Sequence, residues 1–228
     1  FIAASRLWFK RPVAETTIGA ASSVYVNANN IGLPVATYVL GSAQFVAPLL
    51  LLQLVVMAPL VLGTLDIATS GRASFGRIVT QPLRNPMIIA SAAGLVLAVT
   101  GVQLPDAVFA PFELIGGAAI PLVLLSFGMS LVGQRPLQAG TGRAEIVVAS
   151  AIKVLLMPLA AYLLGRFAFG LSGHELFVVV ALATLPTAQN IYNFASRYQR
   201  GIVIARDTVL LTTIGSVPML VLVAALLA

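Results

Sequence analysis

The side chains in this sequence best placed to do chemistry are amides. Asn27, Asn29 and Asn30 lie in the stretch Tyr25-Val-Asn-Ala-Asn-Asn-Ile-Gly-Leu-Pro34, inside a run that otherwise reads as a membrane helix. A second interruption of the same kind, Leu185-Pro-Thr-Ala-Gln-Asn-Ile-Tyr-Asn193, sits in a later apolar run. Asn27 and Asn30 are three residues apart and Gln189 and Asn193 four apart, so each pair shares a helix face where regular helix survives. With Asn190 and Thr187 they could present several neutral donors to a carboxylate. The other use of such amides is to tie broken helix ends together, which is common in membrane bundles. Gly32, Pro34 and Pro186 are the break residues, since Pro lacks a donor and frees a carbonyl one turn earlier, while Gly loosens the chain. At bilayer depth such a cluster is tolerated only where backbone and amides face protein or a wet cavity.

Lys153 is the one ionisable residue well inside an apolar run, and a charge there needs a partner or a cavity. It could attract an anion or take the place of a coupling cation; it could also be a structural lysine bound to carbonyls, or reach to an interface. His174 beside Glu175 reads as interfacial. Asp207 either pairs with Arg206 or starts the last helix near its dipole. Ser126, Gly128 and Ser130 are small residues at close spacing, suited to helix packing. There is no Cys, the single His sits at a boundary, and no paired carboxylates lie in apolar runs, so intramembrane hydrolysis lacks a nucleophile with its base. No Gly-rich phosphate loop is present either. The sequence is therefore expected to be no enzyme, and to use no cofactor and no metal.

The elements that must position these residues follow from composition. With 59% hydrophobic and 9% charged residues and a mean hydropathy of +1.02, this is an all-α integral membrane protein. Its apolar runs continue over roughly 20 residues and do not alternate with period two, which argues against a barrel. The first nine residues read as the end of a span begun upstream. A first complete span is expected over 14–40, broken at the asparagines, and a second over 45–65. A polar loop, 66–85, carries Arg72, Arg77 and Arg84. Further spans are expected over 86–102, 113–132, 146–164, 176–198 (broken at Pro186) and 202–228. Assigned alternately to two sides, the loops place eleven of the thirteen Lys and Arg residues on one side, which the positive-inside rule makes cytoplasmic. The net charge of +6 thus marks a membrane face and calls for no nucleic acid.

Each broken span leads into an apolar helix containing a proline, Pro59 and Pro218. The second copy lies five spans further along than the first, so it crosses in the opposite sense. Paired, interrupted spans in inverted halves point to a transporter's midplane site, where broken helix ends offer oriented N–H and C=O groups. Residues 86–228 then form a five-helix repeat and 1–65 the C-terminal part of another. The parent expected from this has ten spans, two and most of a third preceding Phe1.

Four segments carry a resemblance: Asn27-Ala-Asn-Asn-Ile-Gly-Leu-Pro34 with Ala36 and Gly41; Pro121-Leu-Val-Leu-Leu-Ser-Phe-Gly-Met-Ser-Leu131; Lys153-Val-Leu-Leu-Met-Pro158; and Leu185 to Tyr198. In order and spacing they resemble the auxin efflux carrier family, which includes plant PIN-formed proteins and bacterial malonate-type permeases. The resemblance implies inverted five-helix repeats, a crossover at each broken helix, and elevator-like transport of organic anions. The family's first-crossover asparagine falls on Asn27, and its crossover prolines on Pro34 and Pro186. After Pro186 the stretch with Thr187, Gln189, Asn190 and Asn193 is more polar than in the plant carriers. That favours a small hydrophilic acid such as malonate over an auxin-like indole acid. The expected partners are that acid, a proton or sodium ion, and the bilayer of the plasma membrane. A homodimer is one arrangement left open, as is a sensor that binds an acid without moving it.

Overall fold

The computed structural model describes residues 1–70, 100–130 and 142–228, together with 89–90, 93–94, 96–97, 132 and 137. Residues 71–85 of the expected loop 66–85, and eight of the seventeen residues of the expected third span, 86–102, lie outside the described residues. Nine helices are named among the described residues. They are α1 (2–9), α2 (Val13–Val24), α3 (28–38), α4 (Ala43–Thr69), α5 (Asp106–Ser130), α6 (Arg143–Ala168), α7 (Gly173–Thr184), α8 (Gln189–Tyr198) and α9 (Ile202–Leu227). The 27, 26 and 26 residues of α4, α6 and α9 are long and apolar enough to cross a membrane. At about 1.5 Å per residue each reaches about 40 Å, more than the ~30 Å hydrocarbon core.

Several helices run past the limits expected from hydropathy. Helix continues from Leu65 to Ser70, where Thr69 Oγ1 donates back to the Leu65 carbonyl (2.7 Å). Likewise α6 continues through Arg166 to Ala168, and α5 begins at Asp106, placing that carboxylate in a helical first turn. Polarity marks where a span leaves hydrocarbon; it does not end the backbone ladder. The packing expected of Ser126, Gly128 and Ser130 falls on side chains outside the described residues.

Prolines shape the long helices. A proline lacks the N–H for its i−4 carbonyl, and its ring crowds that carbonyl. One turn ahead of Pro59 and Pro158 the ladder slips to i→i−5 pairing, over Gln53–Met57 and Ile152–Leu156. Each of these wide turns carries a buried polar side chain, Gln53 and Lys153.

The two interrupted spans are α2 with α3 and α7 with α8. Leu185, before Pro186, has φ −55° and ψ 140°, the extended state that a following proline imposes. Tyr25 is similarly extended (φ −76°, ψ 110°). The breaks cross antiparallel and separate two apolar clusters. One joins α3 to α7 through Val26, Ala36, Val46, Phe177, Ala181 and Leu185. The other joins α2 to α8 through Ile18, Ala21, Tyr25, Leu65, Ile191 and Ala195. Gly201 connects α8 to α9 with φ +61°, and a Cβ there would lie 3.0 Å from Ile18 Cγ2, so both backbone and space require glycine. Away from the crossing, Arg11 Nε donates to Glu145 Oε1 (2.6 Å), joining the start of α2 to α6. That hydrogen bond holds the Arg11 pKa above its ordinary value. By contrast, α5 packs appreciably, among the described residues, only on the turn 28–32.

Candidate functional site

Interrupting a helix at bilayer depth leaves backbone groups that must find partners. At the crossing they do. The Asn27 N–H donates to the Pro186 carbonyl (2.7 Å) and the Ala188 N–H to the Tyr25 carbonyl (2.9 Å), a short antiparallel bridge centred on Val26 and Thr187. Following spans supply what the bridge cannot. Gln53 Nε2, from α4, donates to the Val26 carbonyl (2.8 Å), and the Thr187 N–H donates to Thr212 Oγ1 of α9 (3.0 Å). Thr187 Oγ1 donates to the Ser22 carbonyl (2.6 Å), and Tyr25 Oη to the Gln53 carbonyl (3.2 Å).

Asn27 lies at the hinge of the first break. Its Oδ1 accepts from the Asn30 N–H (3.1 Å) and caps the helical segment 28–38. Its Nδ2, on a residue only 3% exposed, has no partner among the described residues. A buried amide with two unused donors costs about 1–3 kcal/mol unless something accepts from them. Beside it is a cavity of about 80 Å³ lined by Tyr25, Asn27, Asn29, Asn30, Gln53 and Asn190, among others. Among the described residues, nothing that lines it is charged. Both α3 and α8 begin at the crossing, so their positive dipole ends meet there.

The sequence-derived site residues divide accordingly. Asn27, Asn30 and Asn190 are brought to the cavity. Thr187 is fully buried as a clamp on the backbone, and Gln189 and Asn193 belong to α8 outside the lining. Asn190, Asn193 and Arg197 are exposed at helical spacing, opposite buried Ile191 and Ala195, giving α8 one polar face. Gly32 is a close-approach point, where a Cβ would come 2.9 Å from Leu185 Cδ1 and 3.1 Å from Val46 Cγ2. Pro34 is in the first turn of the α-helical part of α3, where a missing N–H is harmless. Lys153 is fully buried but does not line the cavity; its Nζ donates to Met157 Sδ at 3.4 Å. Asp207 is held by Arg206 Nε (2.7 Å) and the Leu137 N–H (2.8 Å).

Gln53 escaped the sequence reading. One amide in an apolar span disturbs neither hydropathy nor period. Its available signal was position: Gln53 stands six residues before Pro59, as Thr212 stands six before Pro218.

Apolar membrane-length helices and two broken helices crossing around a polar cavity define an all-helical membrane transport protein. The profile of the family described as Membrane transport protein matches residues 72–224. The chain belongs to that family, the auxin efflux carriers. The match covers the second broken helix and Lys153. No curated protein matches the chain.

Proposed function

We propose that this chain is a secondary carrier of small organic anions, malonate being representative, working by alternating access in the plasma membrane without catalysis. The observation that carries the reading is the unpartnered Asn27 amide at a cavity where two half-helices begin. An arriving carboxylate accepts from Asn27 Nδ2 and is further stabilised by both dipole ends, so no fixed counter-charge is needed and release stays easy. Neutral donors suit a carrier because a full salt bridge would trap its cargo.

The 80 Å³ of space is far below the ~300–1,000 Å³ of sites for drug-sized ligands. It favours a short acid over an indole acid. Elevator-like movement of the crossed body belongs to this reading, as the resemblance to the auxin efflux carriers implies.

The test is flux. The full-length protein is reconstituted in proteoliposomes and offered radiolabelled malonate, succinate and an indole acid. Saturable uptake of a short acid, with the indole acid excluded, is the expected result. Binding of an acid with no flux would contradict the carrier and leave a sensor.

A further inference from the structure

Lys153 is the buried titratable group that the substrate cavity does not use. Its residue is fully buried within the wide turn Ile152–Leu156, and among the described residues its one hydrogen-bond contact is the thioether of Met157. An ammonium carries three donors and needs oxygen acceptors or a carboxylate, whereas a thioether is a weak acceptor. The elements packed on this turn are α2, α7, α9 and the flanking parts of α6. Their ionisable side chains are Glu15, Arg143, Glu145, Tyr162, Arg166, His174, Glu175, Arg206 and Asp207, all on residues other than those of the turn itself. Glu145 is engaged by Arg11 and Asp207 by Arg206, and among the described residues no carboxylate pairs with Nζ.

The helices packed on the turn carry buried hydroxyls. Ser22 Oγ on α2, Ser150 Oγ on α6 and Thr208 Oγ1 on α9 are buried without a partner. Two of these residues, Ser22 and Thr208, are fully buried. The Ser22 carbonyl is the acceptor for Thr187 Oγ1, which ties this layer to the crossing.

We propose that the Lys153 amine is the group that takes up and gives back the proton coupled to substrate movement. A proton from one side adds to the Nζ lone pair, and the unpartnered hydroxyls of the surrounding helices accept from the resulting ammonium. Loss of the proton to the other side regenerates the amine. With malonate as its dianion, the loaded crossover then moves one net negative charge instead of two. The inference rests on the carrier reading and names its coupling ion.

The experiment compares two modes in the same proteoliposomes. One is accumulation of radiolabelled malonate driven by a pH gradient, with a trapped pH dye reporting proton movement; the other is malonate exchange at equal pH on both sides. For Lys153→Met we expect exchange to persist and gradient-driven accumulation and the dye signal to be lost. Lys153→Arg keeps size and donors but does not release its proton, and is expected to behave as Lys153→Met does. Should Lys153→Met fail to fold, Lys153→Arg decides alone, since a purely structural lysine would be rescued by arginine with coupling intact. Gradient-driven accumulation in either folded variant, or wild-type accumulation driven by sodium with no dye signal, would overturn the assignment. Absence of exchange in the wild type would overturn the carrier reading and the assignment with it.

Discussion

The two broken helices share one architecture and divide the work. Each interrupts between a helix that ends and one that begins at the crossing, and each is braced by a polar side chain six residues before a proline in the span that follows. In the first break the Val26 carbonyl accepts twice, from the Ala28 N–H (2.8 Å) and from Gln53 Nε2. In the second the group left over is the Thr187 N–H, and Thr212 accepts from it. The first break also carries a side-chain cap, Asn27, whose other end is free; α8 has no side-chain cap. Both breaks thus satisfy their backbone, and the first also keeps two side-chain donors without a partner among the described residues. On the proposed carrier reading, differences in side chains decide which break meets the ligand.

That contrast can be broken in order of size. Asn27→Ala removes cap and donors together. We expect the KM for the transported acid to rise at least about tenfold and stability to fall by about 1 kcal/mol, read by uptake and by thermal unfolding in detergent. Thr212→Val orphans the buried Thr187 N–H, at about 1–3 kcal/mol, whereas Gln53→Leu leaves the Val26 carbonyl its Ala28 partner and should cost less. Because only Gln53 lines the cavity, only Gln53→Leu should also weaken acid binding. Equal effects on binding from both variants would contradict the division of labour. Gly32→Val drives carbon into Leu185 and Val46 where the breaks meet, and should cost about 1–3 kcal/mol by overpacking. Asn193→Ala, exposed and outside the lining, should change KM by no more than about twofold and leave unfolding unmoved.

Much of this was legible because hydrocarbon makes polar residues conspicuous. Asn27, Pro34 and Pro186 interrupt apolar runs, and interruption is visible at any reading distance. The pairing of Val26 with Thr187 was not visible, since it joins residues far apart in sequence through backbone atoms that have no residue-specific signal. Gln53 was hidden by being single. Lys153 was conspicuous, yet its distance from the amides depends on the slipped turn before Pro158 and on which neighbours that turn faces. Sharing of faces by Gln189 and Asn193 was readable from spacing; that the cavity takes Asn190 and not these two depends on the angle at which α8 leaves the break.

The central claim is that the free end of the Asn27 amide, and not its cap, holds the substrate. Asn27→Asp tests it most directly, because the aspartate keeps an oxygen to accept from the Asn30 N–H and replaces only the unpartnered NH₂. Malonate uptake by the reconstituted variant, checked for an unchanged unfolding temperature, is the measurement. Loss of saturable uptake with stability retained is the predicted result. Uptake at the wild-type KM would show that Asn27 serves only as a helix cap, and would remove the crossover amide as the seat of binding.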